Sequence, residues 1–444
     1  MVESTVATLD PAYGTVGLQI PKVAGARRGL IDCDMHRKRG LFLPLVTATL
    51  LTTTTPGSAL PPGSVDVAAA DNGFGFHLLN AVQKSSPRAN VVLSPVSAAL
   101  DLSMVLNGAE GKTQDEMLST LSLDGAEIDA INTANAQLIK VLRTPSQSVT
   151  LSVADSLWAD SRRATLRPDY VKQVQASYDA EVADLDFGHS NSVSRINGWA
   201  SKQTHEKIPK VIDRIDPADV LLLLNAVYFK GQWKNKFDKT QTRQQDFALA
   251  DGTAKKIWRM AQSGRFDYFE TPDLQAIRLP FGNGDLVMQV LLPAKSSSLE
   301  ALETELTPEL WAVWQSHYVA RQGSIELPRF ELKSHYRLNA PLQTLGMRRA
   351  FDSHAAELSG MFSAPEHARG KPFFISMVLQ STYWKVDEEG SEAAAVTSIG
   401  VRAAAISRPE RPFQMIVDRP YLCAIEDRRS GVLLFVGAIY DPTE

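Results

Sequence analysis

Few side chains in this 444-residue sequence are placed to do covalent chemistry of their own. Its eight histidines are scattered without an acidic or nucleophilic companion, and neither a Gly-x-Ser-x-Gly elbow nor a His-Glu-x-x-His helix occurs. Gly111-Lys112-Thr113 has the ending of a phosphate-binding loop, but Leu106 stands where that motif needs its first glycine. Cys33 and Cys423 are far apart and sit in no Cys/His cluster, so no metal site and no cofactor is indicated. Cys423, inside the apolar run Pro420–Ile425, reads as a buried small hydrophobe. What remains is a segment. Between a strand-like run ending near Asp387 and another beginning near Phe413 lie about two dozen residues rich in Ala, Ser and Gly. Loops beyond about 12–15 residues are uncommon in compact domains, and those that occur tend to be functional or disordered. The chemistry is to be sought there.

The elements around that segment read as one mixed α+β domain, with no internal repeat and no Pro/Gly linker downstream of about residue 70. Asp71 reads as the cap of a helix carrying Phe74, Phe76, Leu78, Leu79 and Val82. Ser94-Pro95 opens a second helix that stops at Asn107-Gly108, and Lys112–Glu116 opens a third. Residues 128–142 and 192–206 read as two more, and Trp311, Trp314 and Tyr318 at helical spacing as core. Val220–Lys230 is too apolar for an exposed strand and is expected mid-sheet, covered on both faces. Residues 286–292, 325–332, 375–386, 412–425 and 432–440 read as further strands.

Composition excludes some partners. The chain is 44% hydrophobic and 22% charged with a net charge of −4, and no Lys/Arg block follows residue 60, so nucleic acid is not an expected partner. From Met35 a basic start, the short apolar stretch Leu41–Leu51 and a small-residue exit at Gly57-Ser58-Ala59 have the layout of a secretory signal peptide. That stretch is too short to span a bilayer comfortably, and no membrane partner is expected. Residues 1–34 make no sense in front of such a signal, so they read as a non-native or disordered upstream stretch, with translation starting at Met35; the rival reading is that 1–60 is a disordered tail with a chance apolar run. The organisation is then 35–59 signal, 60–70 linker and 71–444 domain, giving an acidic protein that is secreted, whether periplasmic or extracellular.

Several motifs now carry a family resemblance from Phe74 to Pro442. Asn90–Ser97 followed by Leu106–Thr113 resembles the second-helix signature of the serpins. Leu224–Trp233 looks like their third central strand and the Trp that follows it. Ile325–Phe330 with Leu345-Gly346-Met347, and Pro420–Leu422 with Leu434–Ala438, resemble their sixth strand, the next helix and the C-terminal hairpin. The resemblance implies about eight or nine helices around three β-sheets and an exposed reactive-centre loop at about 388–411. It implies no enzyme but a suicide-type inhibitor, of a secreted prokaryotic-type kind. A serine (or cysteine) protease attacks the loop, and the cut loop enters a five-stranded sheet before the acyl-enzyme hydrolyses. The expected product is a covalent 1:1 complex formed by a monomer. The alternative is a non-inhibitory serpin acting as a binding, carrier or chaperone protein.

Loop insertion makes a demand this sequence can fail, because alternate residues must enter the core. The hinge is Glu388, Gly390, Ser391, Glu392, Ala393, Ala394 and Ala395. Counting from Ser391, the inward set is Ser391, Ala393, Ala395, Thr397, Ile399, Val401 and Ala403, all small or apolar. Glu392 and Arg402 fall outward; a slip of one residue would bury both charges. Family spacing places the reactive bond between Ala404 and Ala405, which suits elastase-like or subtilisin-like proteases. Arg402, Ile406 and Arg408 are the runners-up, and either arginine would redirect the target to trypsin-like enzymes.

The resemblance also assigns supporting residues. Ser94, Ser97, Asn225 and Gln380 match the cluster beneath the point where the sheet opens. Many relatives have His where this chain has Gln380, so a His-type pH dependence of opening is not expected. Trp233 and Arg329 belong to the top of the sheet, Arg329 as ion-pair partner of Glu388. The helix near 128–143 offers only Lys140 and Arg143, which speaks against a heparin-type cofactor.

Overall fold

The computed structural model describes residues 65–363, 373–390 and 411–443. The unit from Met1 to Ser58, with the expected upstream stretch and nearly all of the signal, lies outside them. Among the described residues there are nine α-helices and three sheets. The helices are α1 (Val67–Ser85), α2 (Pro95–Leu106), α3 (Gly111–Thr120), α4 (Ile128–Leu142), α5 (Pro168–Tyr178), α6 (Asn191–Gln203), α7 (Leu299–Glu305), α8 (Pro308–His317) and α9 (Asn339–Thr344). The first helix starts earlier than expected. Asp66, not Asp71, caps it by accepting from the Ala69 N–H at 3.0 Å, and Asp71 lies buried inside the helix. A side chain facing the core cannot serve the open first turn.

Strands β1 (Val91–Leu93), β2 (Val149–Asp160), β3 (Thr165–Leu166), β4 (Glu181–Leu185) and β5 (Leu221–Gly231) come first. A long antiparallel region follows: β6 (Arg243–Ala248), β7 (Ala254–Glu270), β8 (Leu274–Phe281), β9 (Leu286–Pro293) and β10 (Val319–Pro328). The last are β11 (Phe330–Arg337), β12 (Phe362–Ser363), β13 (Ile375–Val386), β14 (Phe413–Ile416), β15 (Tyr421–Asp427) and β16 (Leu433–Ile439). Nine strands form one sheet, and β3 and β12 a small ribbon. The five-stranded sheet that matters here runs β11-β13-β5-β2-β4.

Two extended runs that look continuous in sequence are each divided. Residues 325–332 pass from β10 into β11, changing sheets at Pro328-Arg329, where proline has no N–H for the ladder. Residues 412–425 split into β14 and β15 around Asp418-Arg419-Pro420. The apolar run of β5 is covered on both faces, as its composition requires. Leu221, Leu223, Val227 and Phe229 join the main core with α2. Leu222, Leu224 and Tyr228 pack on the other side with Ile196 and Ala200 of α6. Trp311 and Trp314 are buried, Trp311 against Phe76 of α1.

Candidate functional site

The centre of the five-stranded sheet holds a parallel pair, β13 beside β5, between antiparallel partners on either side. This arrangement has a topological consequence. A chain that leaves the end of β13 and reverses runs antiparallel to both strands, so it can lie between them with its backbone groups paired. The chain leaving β13 does reverse. Asp387 and Gly390 exchange backbone hydrogen bonds at 3.0 and 3.2 Å across the two-residue turn Glu388-Glu389. Gly390 also forms an antiparallel bridge to Gln232, just past the end of β5. Gly390 has φ +110°, and a Cβ there would collide with the Gly231 carbonyl oxygen and the Trp233 backbone nitrogen. Only glycine can turn that closely against β5.

Trp233 fixes the turn from below. Its indole Nε1–H donates to the Asp387 carbonyl at 2.8 Å and its backbone N–H to the Glu389 carbonyl at 3.1 Å. The ring is stacked on Phe281, centroids 4.3 Å apart. Glu388 is buried; it accepts from the Thr242 hydroxyl at 2.7 Å and pairs with Arg329 at 3.5 Å. Arg329 is in reach because it stands where β10 hands over to β11, whose first residue, Phe330, pairs with Val386. Glu389 lies between Lys236 (2.6 Å) and Lys239 (2.9 Å), and these ammonium groups hold its carboxyl below the usual range. Lys236, Lys239 and Thr242 are not apparent from sequence, where they belong to an ordinary polar stretch.

Halfway down the same strands lies a polar rung. Gln380 of β13 is in register with Asn225 of β5, and Asn225 with Asp155 of β2. Helix α2 brings Ser94, Ser97 and Asp101 to them. Gln380 clasps the Ser94 backbone, accepting from its N–H at 2.8 Å and donating to its carbonyl at 2.9 Å. Ser97 Oγ donates to Asp155 Oδ1 at 2.7 Å, and Asn225 Nδ2 donates to Asp101 Oδ2 at 3.1 Å. The four residues expected here therefore come together, although Ser94 contributes its backbone and not its hydroxyl. Asp101 and Asp155 are additions. Burial is the main force pushing both carboxyls up: Asp155 to about 7, Asp101 well above the carboxyl range, where the like charge of Asp155 adds to it. A sequence signal existed for one of them, since Asp101 is the only charged residue in α2.

Ser391, Glu392, Ala393, Ala394, Ala395, Arg402, Ala404, Ala405, Ile406 and Arg408 lie outside the described residues. Among the described residues no three potential ligands are grouped to hold a metal, and no helix is long and apolar enough to cross a membrane.

The described residues thus give a five-stranded sheet whose two neighbouring strands β13 and β5 run parallel, and a turn at the end of β13 that is bridged to the end of β5. Residues 69–442 match the family model described as serpin (serine protease inhibitor). The chain is 33% identical over 388 residues to a leukocyte elastase inhibitor of Sus scrofa, covering 85% of this chain and 99% of that protein. It is 34% identical over 378 residues to Iripin-2 of Ixodes ricinus, covering 83% and 92%. Among solved structures it is similar to the thermophilic serpin tengpin in its native state, with TM-score 0.76 and 27% identity over 84% of this chain and 94% of that one. The chain belongs to the serpin family.

Proposed function

We propose that this serpin is a suicide-type inhibitor of serine proteases and not a carrier or chaperone. The protease serine Oγ attacks the bait carbonyl, the peptide C–N bond breaks, and the released amine takes the proton. The inhibitor stays on the enzyme as an ester while its loop inserts between β13 and β5. The observation that carries this reading is the hinge turn bridged to both strands. The Asp387–Gly390 pairing is observed; continued down β13 after insertion, it would put Ser391 beside Val386, Ala393 beside Trp384 and Thr397 beside Gln380. The Gln232–Gly390 pairing, continued down β5, would put Thr397 beside Asn225. The two extensions agree, because Gln380 and Asn225 already share a register. They would give the inward set read from sequence, bring the Thr397 hydroxyl to the polar rung, and leave Glu392 beside Lys385. The run from Ser391 to Ala403 is one residue longer than the 12-residue β13.

The relatives named elastase inhibitors favour an elastase-like target, consistent with a bond between Ala404 and Ala405. Cleavage at Arg402, Ile406 or Arg408 is the alternative. We further propose that residues 35–59 direct export, which N-terminal sequencing of the native protein checks: a mature terminus before Met35 would exclude it. The functional test is incubation with elastase, subtilisin, chymotrypsin and trypsin. A 1:1 complex stable in SDS is expected with at least one of them, and sequencing the released C-terminal fragment locates the bond. Cleavage by every protease without a complex, and without a gain in thermal stability, rejects inhibition.

A further inference from the structure

The polar rung holds an anomaly that insertion alone does not explain. Two carboxyls, on α2 and β2, meet under the joint between β5 and β13, and both residues are buried. The groups acting on them are each other, Ser97, Asn225 and the Ser156 N–H; none is a cation. Three oxygens of the cluster, Ser94 Oγ, Asp101 Oδ1 and Asn225 Oδ1, have no hydrogen-bond partner among the described residues. The Ser94 hydroxyl is an unused donor, whereas Asp101 Oδ1 and Asn225 Oδ1 are acceptors that no donor meets, and an ionised carboxylate supplies none. A proton on the acid pair supplies one and removes an uncompensated buried charge in one step.

We infer that the buried Asp101–Asp155 pair is held protonated while the sheet is closed, and that loss of a proton from the pair promotes the parting of β13 from β5. This rests on the loop-insertion reading and deepens it. When β13 moves away, Gln380 leaves the rung and water reaches the carboxyls, whose ionised form is then solvated. The closed sheet therefore binds the proton more tightly than the parted one. Closure is fully favoured below the ordinary carboxyl range, and that advantage is lost as pH rises through the closed-sheet pKa. In the closed sheet Asp155 is pushed up to about 7 and Asp101 well above the ordinary carboxyl value, so the pair gives up its first proton near neutral pH.

Among the other titratable groups of the surrounding elements, Asp71 of α1 is also a carboxyl pushed up by burial, and the Asp101 and Asp155 variants separate its titration from theirs. Gln380 and Ser381 of β13 do not titrate. His335 of β11 faces Ser381 Oγ at 2.8 Å, and burial lowers its pKa. Tyr336 of β11 donates to the Asn90 carbonyl, and Tyr170 of α5 to the Met104 carbonyl. Asp71 of α1 and Tyr178 of α5 are buried with raised pKa values, while Glu181 of β4, beside Ser156, is exposed. Lys112 and Asp115 of α3 and Asp129 and Lys140 of α4 are exposed, Glu116 of α3 is half-buried and accepts from the Arg348 and Arg349 N–H groups, and β16 brings no charge.

The test needs no protease. A synthetic peptide copying residues 391–404 is mixed with the intact protein, and its rate of incorporation is followed from pH 5 to pH 8. The rate is expected to climb and level off near pH 7, by about tenfold for each unit separating the closed and parted pKa values. Asp101→Asn and Asp155→Asn each move the midpoint down, and the double variant incorporates peptide at a slow, flat rate. His335→Gln keeps the climb. A flat wild-type rate, an unmoved midpoint in both single variants, or a climb lost in His335→Gln overturns the inference; the single variants decide it if the double variant does not fold. Failure of the peptide to enter at any pH overturns the insertion reading as well, whereas entry at a pH-independent rate overturns the proton alone.

Discussion

The top of the five-stranded sheet and its midpoint each gather a pair of acidic groups and treat them in opposite ways. At the top, Glu388 and Glu389 meet Arg329, Lys236 and Lys239, and the carboxyl of Glu389 is held low. At the midpoint, Asp101 and Asp155 meet hydroxyl and amide groups only, and their carboxyls are pushed up. The difference separates two tasks. The top is a fastening that holds an ionised turn in place; the rung is a joint whose tightness depends on neutrality.

Variants at each level sharpen the contrast. Trp233→Ala has the largest expected effect, because it removes a buried ring stacked on Phe281 together with the bond to the Asp387 carbonyl. Loss of about 3–5 kcal/mol is expected in denaturant unfolding; a change below ~1 kcal/mol would show that the turn is fastened elsewhere. Gln380→Ala comes next, at about 1–3 kcal/mol, since it leaves the buried N–H and carbonyl of Ser94 unpaired. Faster peptide incorporation should accompany it, and an unchanged rate would mean that the clasp does not restrain opening. The smallest effect concerns pH. The depressed Glu389 carboxyl contributes stability that is present above the ordinary carboxyl range and lost as pH falls through its folded value. The rung carboxyls change stability with the opposite sign, losing it as pH rises toward 7. Unfolding of Lys236→Met/Lys239→Met should show a shallower acid-side decline, since carboxyls such as Glu270 and Asp441 are also held low, while keeping the neutral-side one; loss of both would mean that the two levels are not separate.

Legibility in the sequence followed how strongly one residue pattern dominated each element. Helix α4 and strand β13 have the bounds their apolar spacing predicts. Strand β2 was not legible, because Asp155 and Ser156 interrupt its apolar character, and their burial makes sense only once α2 lies across them. The cap of α1 was misplaced because Asp66 and Asp71 are equally good caps by residue type. At the site, Ser94, Ser97, Asn225 and Gln380 were reached through resemblance. Asp101 and Asp155 depart from what a buried site normally accepts, and nothing local shows that they face one another. Lys236, Lys239 and Thr242 are identified only by the turn they hold.

The bridge from Gly390 to Gln232 has a kinetic meaning. Starting a new strand is its slow step, since chain entropy is lost before many contacts form, and here the first contact exists before any cut. What remains is propagation, one residue pair after another, like a zip with its first tooth engaged. In the proposed mechanism the outcome is a race against hydrolysis of the ester. Its clock is then set by how readily β13 yields, not by how long the loop takes to find the sheet.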